Sequence, residues 1–235
     1  MNSDYEAFEG KLGYKFKNKE LLKLAFTHTT YVFEHQQQHY QSNQRLEFIG
    51  DAILDLVIGR ELYELKPYEG EGYLSKVRSI IVCEKSFAKV ARQLGVGEYM
   101  LLGKGEMAQG GADTESTLAD AFESIIAAVY FDSDFITVRQ VALNNLREII
   151  DLAVEGKIFL DYKSKLLEIA QTKDHQHEVK FSIINESGPS HMRVFEAQVT
   201  ADGRVLATAS GKSKRDAEQK CAELAIEEYN KIFVD

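Results

Sequence analysis

Cysteine is scarce in this chain of 235 residues. Cys83 and Cys221 are too few for a disulfide framework and too far apart for a CxxC motif. A reducing cytoplasm is the compartment this predicts. Long hydrophobic runs are lacking as well: the longest, Ile125 to Phe131, has seven residues. A bilayer-spanning helix needs about 18 or more, so no membrane association is expected. The opening residues, MNSDYEAFEGK, offer neither a basic n-region nor an apolar h-region, and no secretory signal is expected. Positive charge is also in deficit. The chain has 28 Lys+Arg against 37 Asp+Glu, a net −9, the wrong sign for a general nucleic-acid binder. The deficit is uneven. Residues 1–155 hold 16 basic against 24 acidic side chains, or −8, and residues 156–235 hold 12 against 13, or −1. An acidic body suits cations or a metal-bridged substrate. A polyanion site in the remainder would have to be a local basic patch. A hydrophobic share of 44% is ample for a core.

Residues 1–155 read as helix after helix. Asn18 can open one through Lys19–Phe26. A long helix is predicted from about Gln44 to Leu65, stopped at Lys66-Pro67. Apolar residues at helical spacing (Leu74, Val77, Ile81, Phe87, Val90, Leu94) predict another that ends at Gly95. The glycine-rich stretch 101–113 reads as a loop, and helices resume at Thr114–Phe131 and Phe135–Val154. No period-2 strand is visible in this part.

The texture then changes across a linker at 156–160. A helix candidate at Tyr162–Thr172 precedes alternating segments at Val179–Asn185, Phe195–Thr200 and Arg204–Ala209. Asp202-Gly203 between the last two is a hairpin signal. Ser213, with Asp216 three residues on, marks a capping box opening a last helix to about Ile232. The fold expected is an all-α domain at 1–155 followed by a small α+β domain at 161–235. The latter has the order α-β-β-β-α and a three-stranded antiparallel sheet.

Two segments carry paired acids. In Asn43-Gln44-Arg45-Leu46-Glu47-Phe48-Ile49-Gly50-Asp51, Glu47 and Asp51 stand four residues apart on one helix face. Such a pair repels unless a cation lies between; otherwise it is simply a solvated face. In Leu118-Ala119-Asp120-Ala121-Phe122-Glu123-Ser124-Ile125, Asp120 and Glu123 lie in a helix apolar on nearly every side. Small neighbours (Ala119, Ala127, Ala128) allow close packing there. Carboxylates so placed are costly to bury unless they coordinate a metal. Oxygen ligands without His or Cys suit Mg²⁺ or Mn²⁺, and two such ions can activate water and stabilise a leaving oxygen in phosphodiester hydrolysis.

These stretches resemble the ribonuclease III family. NQRLEFIGDAIL and ESTLADAFESIIAAVYFD match its two acidic motifs, and LGYKFKNKELLKLAFTHTTY and EGYLSKVRS are also similar to it, in the same order. The resemblance implies an endoribonuclease hydrolysing double-stranded RNA and leaving short 3′ overhangs, in rRNA and mRNA processing. It implies Mg²⁺ (or Mn²⁺) at Glu47, Asp51, Asp120 and Glu123, with Asp51 and Glu123 catalytic. It further implies a homodimer with one such site per subunit. Gln44 stands where the family usually has Glu, three residues before Glu47. It keeps hydrogen-bonding ability but no charge. Glu71 matches the family's second accessory acid.

In the tail, Gly211-Lys212-Ser213-Lys214-Arg215 places three cations at a helix N-terminus, whose dipole also favours anions. A P-loop is excluded because Leu206 occupies the required glycine position, so no nucleotide cofactor is expected. With the α-β-β-β-α order, the tail resembles a double-stranded RNA-binding domain. By that resemblance Ser164, Glu168 and Gln171 touch one minor groove, and Ser190 and His191 touch the next. Lys212, Lys214 and Arg215 meet the phosphates between. Leu167 departs from the polar residue often found there. The remaining candidates read as packing or surface. His35-x-x-x-His39 spans a polar glutamine run, and His175 and His177 have no evident partner. Tyr5, Phe8 and Leu12 suit a core, and Cys221 shares a helix face with Ala217, Leu224 and Ala225. Two alternatives remain. One is a duplex-RNA-binding protein with a nuclease site weakened by Gln44. The other is a carboxylate metalloprotein acting on small phosphoesters, for which the tail would be superfluous.

Overall fold

A computed structural model of the chain describes residues 5–36, 38, 41–159, 161–171, 176–189 and 193–233. Within the first compact unit, Met1–Ile158, helix α8 (Glu115–Asp132) is the element on which the others are hung. Its Phe122, Ile125, Ile126 and Val129 are fully buried, as are its alanines 121, 127 and 128. A helix apolar all round must be enclosed on all sides. It packs along α4 (Gln44–Leu65) and α6 (Glu84–Leu94), and also against α2 (Lys19–Ala25) and α9 (Phe135–Val154). The shorter α1 (Glu6–Leu12), α3 (Thr29–Glu34), α5 (Glu71–Ile81) and α7 (Lys104–Ala108) complete this unit. Phe8 and Leu12 of α1 are core residues, with Phe8 edge-on to Phe26.

Several helix ends follow from side-chain chemistry. Thr114 and Asp134 each accept the backbone N–H three residues on, opening α8 and α9. Two expectations are corrected. The helix read through Leu74–Leu94 is two helices, broken where Val82 and Cys83 leave helical geometry, Cys83 being fully extended. The apolar period runs straight through the break, so periodicity alone could not reveal it. Ser86 and Cys83 hydroxyl and thiol groups cap the Ile80 carbonyl at the corner. The stretch read as loop at 101–113 contains α7 and a 3₁₀ turn, Gly111–Asp113. Tertiary contacts hold it: Thr30 Oγ1 accepts from Gly103 N at 3.0 Å, and Glu34 Oε2 from Lys104 N at 2.6 Å.

The second unit, Phe159–Asp235, has α10 (Tyr162–Ala170), β1 (Val179–Ser187), β2 (Val194–Ala201), β3 (Arg204–Gly211) and α11 (Lys214–Phe233). The sheet is antiparallel in the order β1-β2-β3. Asp202 and Gly203 both take positive φ, 48° and 80°, which suits a tight two-residue hairpin between Ala201 and Arg204. Ala197, Val199, Ala201 and Leu206 line the inner face against Leu166 of α10 and Ala217, Cys221, Ala222, Ala225 and Tyr229 of α11. Leu224, read from sequence as part of that apolar face, is 57% exposed.

Candidate metal centre and duplex-RNA interface

The two acidic segments meet because α4 and α8 approach at Gly50. A Cβ built on Gly50 would lie 2.0 Å from the Glu123 carbonyl oxygen and 3.0 Å from its Cα. Only glycine permits that approach. Gly50 sits between Glu47 and Asp51, so the contact sets both beside Glu123, with Asp120 one turn earlier on α8. The electrostatics agree. The Glu123 carboxyl is pushed up to about 8, first by burial and then by Asp51, Asp120, Glu47 and Asp55. Burial, then Asp120 and Asp51, raises Glu47. Asp120 is raised by burial and by Glu84, an effect His28 partly offsets. The largest charges acting on Glu123 are therefore all carboxylates. Glu123, Glu47 and Asp120 thus each hold a proton more readily than a free carboxyl does.

That donor set, all oxygen and all anionic, fits a hard divalent ion. Among the described residues, no three Asp, Glu, His or Cys side chains are gathered into a ready-made metal cage. Gln44 opens α4 one turn before Glu47 and is exposed. Glu71 opens α5, where it accepts from Ser75 Oγ at 2.7 Å; it is not among the charges that act most on Glu123. Sequence reading missed Gly50, Asp55, Glu84 and His28. The small residue between two acids of a helix was the available signal for the first; tertiary packing alone brings in the others.

In the second unit, Lys212, Lys214 and Arg215 lie exposed together where α11 begins. Ser213 Oγ accepts from Asp216 N at 3.1 Å, one half of the expected capping box. Asp216 reaches one residue further back than expected, to Lys212 N at 2.8 Å. Ser164 and Glu168 on α10, and Gln171 just past its end, are exposed. Asp161 accepts from Gln219 Nε2 and from Ser164 N and Oγ, contacts that hold its carboxyl down at about 2. Ser164 thus spends its proton on Asp161 and keeps lone pairs to accept. Ser190 and His191 lie outside the described residues, as do His39 and His175. His177, read as lacking a partner, pairs with Asp202 at 2.6 Å.

Comparison with known proteins covers both units. The family model described as Ribonuclease-III-like matches residues 18–150, and that of the double-stranded RNA binding motif matches 162–229. Ribonuclease 3 of Listeria monocytogenes is 40% identical over 227 residues, 95% of this chain and 97% of that protein. That of Caldanaerobacter subterraneus is 42% identical over 218 residues, covering 93% and 95%. The solved nuclease domain of ribonuclease III from Campylobacter jejuni is 39% identical. It covers 62% of this chain and 97% of its own, with a TM-score of 0.58. Acidic helices in contact, a basic helix start on an α-β-β-β-α unit and relatives alike from end to end agree: the chain belongs to the ribonuclease III family, the endoribonucleases that cut double-stranded RNA.

Proposed function

We propose that Glu47, Asp51, Asp120 and Glu123 together hold Mg²⁺, with Mn²⁺ able to replace it, and that duplex RNA is hydrolysed there. The observation that carries this is the close approach of α4 and α8 at Gly50, which sets Glu47 and Asp51 beside Glu123, a carboxyl that burial and those neighbours push up to about 8. Such a group holds a proton until a divalent ion displaces it. When bound, Mg²⁺ supplies activation of water and neutralisation of charge on the phosphate and the leaving oxygen. Asp51 and Glu123 flank the scissile phosphate, and Gln44 and Glu71 serve as accessory groups near it. The uncharged Gln44 leaves the set of four intact. Lys212, Lys214 and Arg215 neutralise phosphates across the groove. The Ser164 hydroxyl accepts from a ribose 2′-OH, with Glu168 and Gln171 beside it in one minor groove and Ser190 and His191 in the next.

The working form is a homodimer, since one site cuts one strand. Phe48, Leu56 and Tyr63 of α4 are 75%, 58% and 72% exposed and recur along one side of that helix. An apolar stripe of this size marks an interface, and the Campylobacter nuclease domain has a region described as involved in dimer formation. Among the described residues no helix is long and apolar enough to cross a membrane. We place the enzyme in the cytoplasm, in rRNA and mRNA maturation. Light scattering of the active enzyme, with end-mapping of its products, tests the assembly. A dimer leaving short 3′ overhangs is expected; an active monomer or blunt ends would refute it.

A further inference from the structure

Ser124 follows the metal-binding Glu123 and is fully buried. The default partner of a buried helical serine is the carbonyl four residues back. That of Ser124 lies on another helix instead: its Oγ donates to the Asn43 carbonyl at 3.2 Å, 81 residues away in sequence. Asn43 is the residue from which α4 springs. Its carbonyl also accepts from Leu46 N at 2.8 Å and from Glu47 N at 2.9 Å. A short path therefore joins the two acidic segments, from Glu123 through the Ser124 hydroxyl and the Asn43 carbonyl to the Glu47 amide.

The side chain at the head of the helix does not fix its start. The Asn43 side chain makes no capping bond, and its Nδ2 is buried without a hydrogen-bond partner. The main chain of Asn43 is gripped from outside the helix instead, its N–H by the Thr27 carbonyl at 2.8 Å and its carbonyl by Ser124. We infer that Ser124 is a positioning residue for the metal centre: its hydroxyl sets the first turn of α4, and with it Glu47, in register with Glu123. This rests on the proposed metal site and assigns Ser124 no contact with substrate.

The test is Mn²⁺ binding to the full-length, RNA-free protein by titration calorimetry, with Ser124→Ala as the main variant. Alanine suits a helix interior and removes only the hydroxyl. The Mn²⁺ dissociation constant should rise about three- to tenfold, the scale of one net hydrogen bond. Ser124→Cys keeps a weak donor at similar size and should fall between Ser124→Ala and the unmodified protein. It also serves if the alanine variant does not fold. Ser133→Ala removes a hydroxyl that donates to Val129 O at the far end of α8 and should leave Mn²⁺ affinity unchanged. Unaltered affinity in Ser124→Ala, with or without a lower melting temperature, overturns the inference. Unmodified protein that binds no Mn²⁺ overturns the metal site itself, so the two failures are distinguishable.

Discussion

Gly50→Ala separates folding from chemistry more sharply than any charge change. Its new Cβ would start 2.0 Å from the Glu123 carbonyl oxygen and 2.5 Å from the carbonyl carbon, whereas ordinary Cβ contacts begin near 3.4 Å. The obstacle is backbone, so no rotamer change relieves it. The contact must lengthen to about 3.4 Å, which parts α4 from α8 by about 1.4 Å at the acidic residues. Overpacking of this kind costs about 1–3 kcal/mol, or more against backbone, and the helix preference of Ala over Gly returns about 1 kcal/mol. A domain with about 5–15 kcal/mol of stability survives that. The proposed metal centre would not, because ligand distances tolerate about 0.2 Å and a misplacement of about 1 Å costs about a hundredfold in rate. Circular dichroism should therefore report a folded chain, melting a few degrees lower. Duplex-RNA binding should persist, while cleavage in Mg²⁺ falls at least about a hundredfold. A folded Gly50→Ala enzyme cutting at the unmodified rate would refute the reasoning.

Because Glu123 is pushed up to about 8, Mn²⁺ should displace a proton below that pH. Affinity measured by calorimetry should then climb about tenfold per pH unit from 6 to 8 and flatten above; a flat profile contradicts it. The sign for stability is the reverse. A raised carboxyl stabilises the metal-free fold below its unfolded value and loses that contribution as pH rises through about 8. Melting in EDTA should accordingly drop over that window, and less so in Glu123→Gln. Changing Lys212, Lys214 and Arg215 to Ala should lower the slope of log affinity against log salt by about 2 to 3, since fewer counterions are released. Cleavage at saturating RNA and low salt should largely survive, and an unchanged slope assigns the phosphate contacts elsewhere.

Much of this was legible in the sequence because the local signals and the fold agree. Pro67 ends α4, and the Asp202-Gly203 pair turns the hairpin. The acids are readable for the same reason: carboxylates in the otherwise apolar run around Phe122 are costly without a task. The unreadable parts depend on distant partners. The corner at Val82-Cys83 carries no proline or glycine and keeps the apolar period. Helix α7 lies in a glycine-rich stretch and is held by Thr30 and Glu34, some 70 residues upstream. His177 finds Asp202 only once β1 and the hairpin are paired. The Gly50–Glu123 approach and the Ser124–Asn43 bond likewise join segments that no spacing rule connects.

The central claim, that four carboxylates on α4 and α8 hold the ion that cuts duplex RNA, is tested most directly by one comparison. Labelled duplex RNA is incubated with the unmodified chain or with Glu123→Gln, in Mg²⁺ or in excess EDTA, and bound and cut RNA are resolved together. Glu123→Gln keeps shape and hydrogen bonding but removes one ligand charge. The unmodified chain should bind in both conditions and cut only in Mg²⁺. Glu123→Gln should bind equally well and cut at least about a hundredfold more slowly. Undiminished cutting in EDTA, or cutting by Glu123→Gln at the unmodified rate, would contradict the claim.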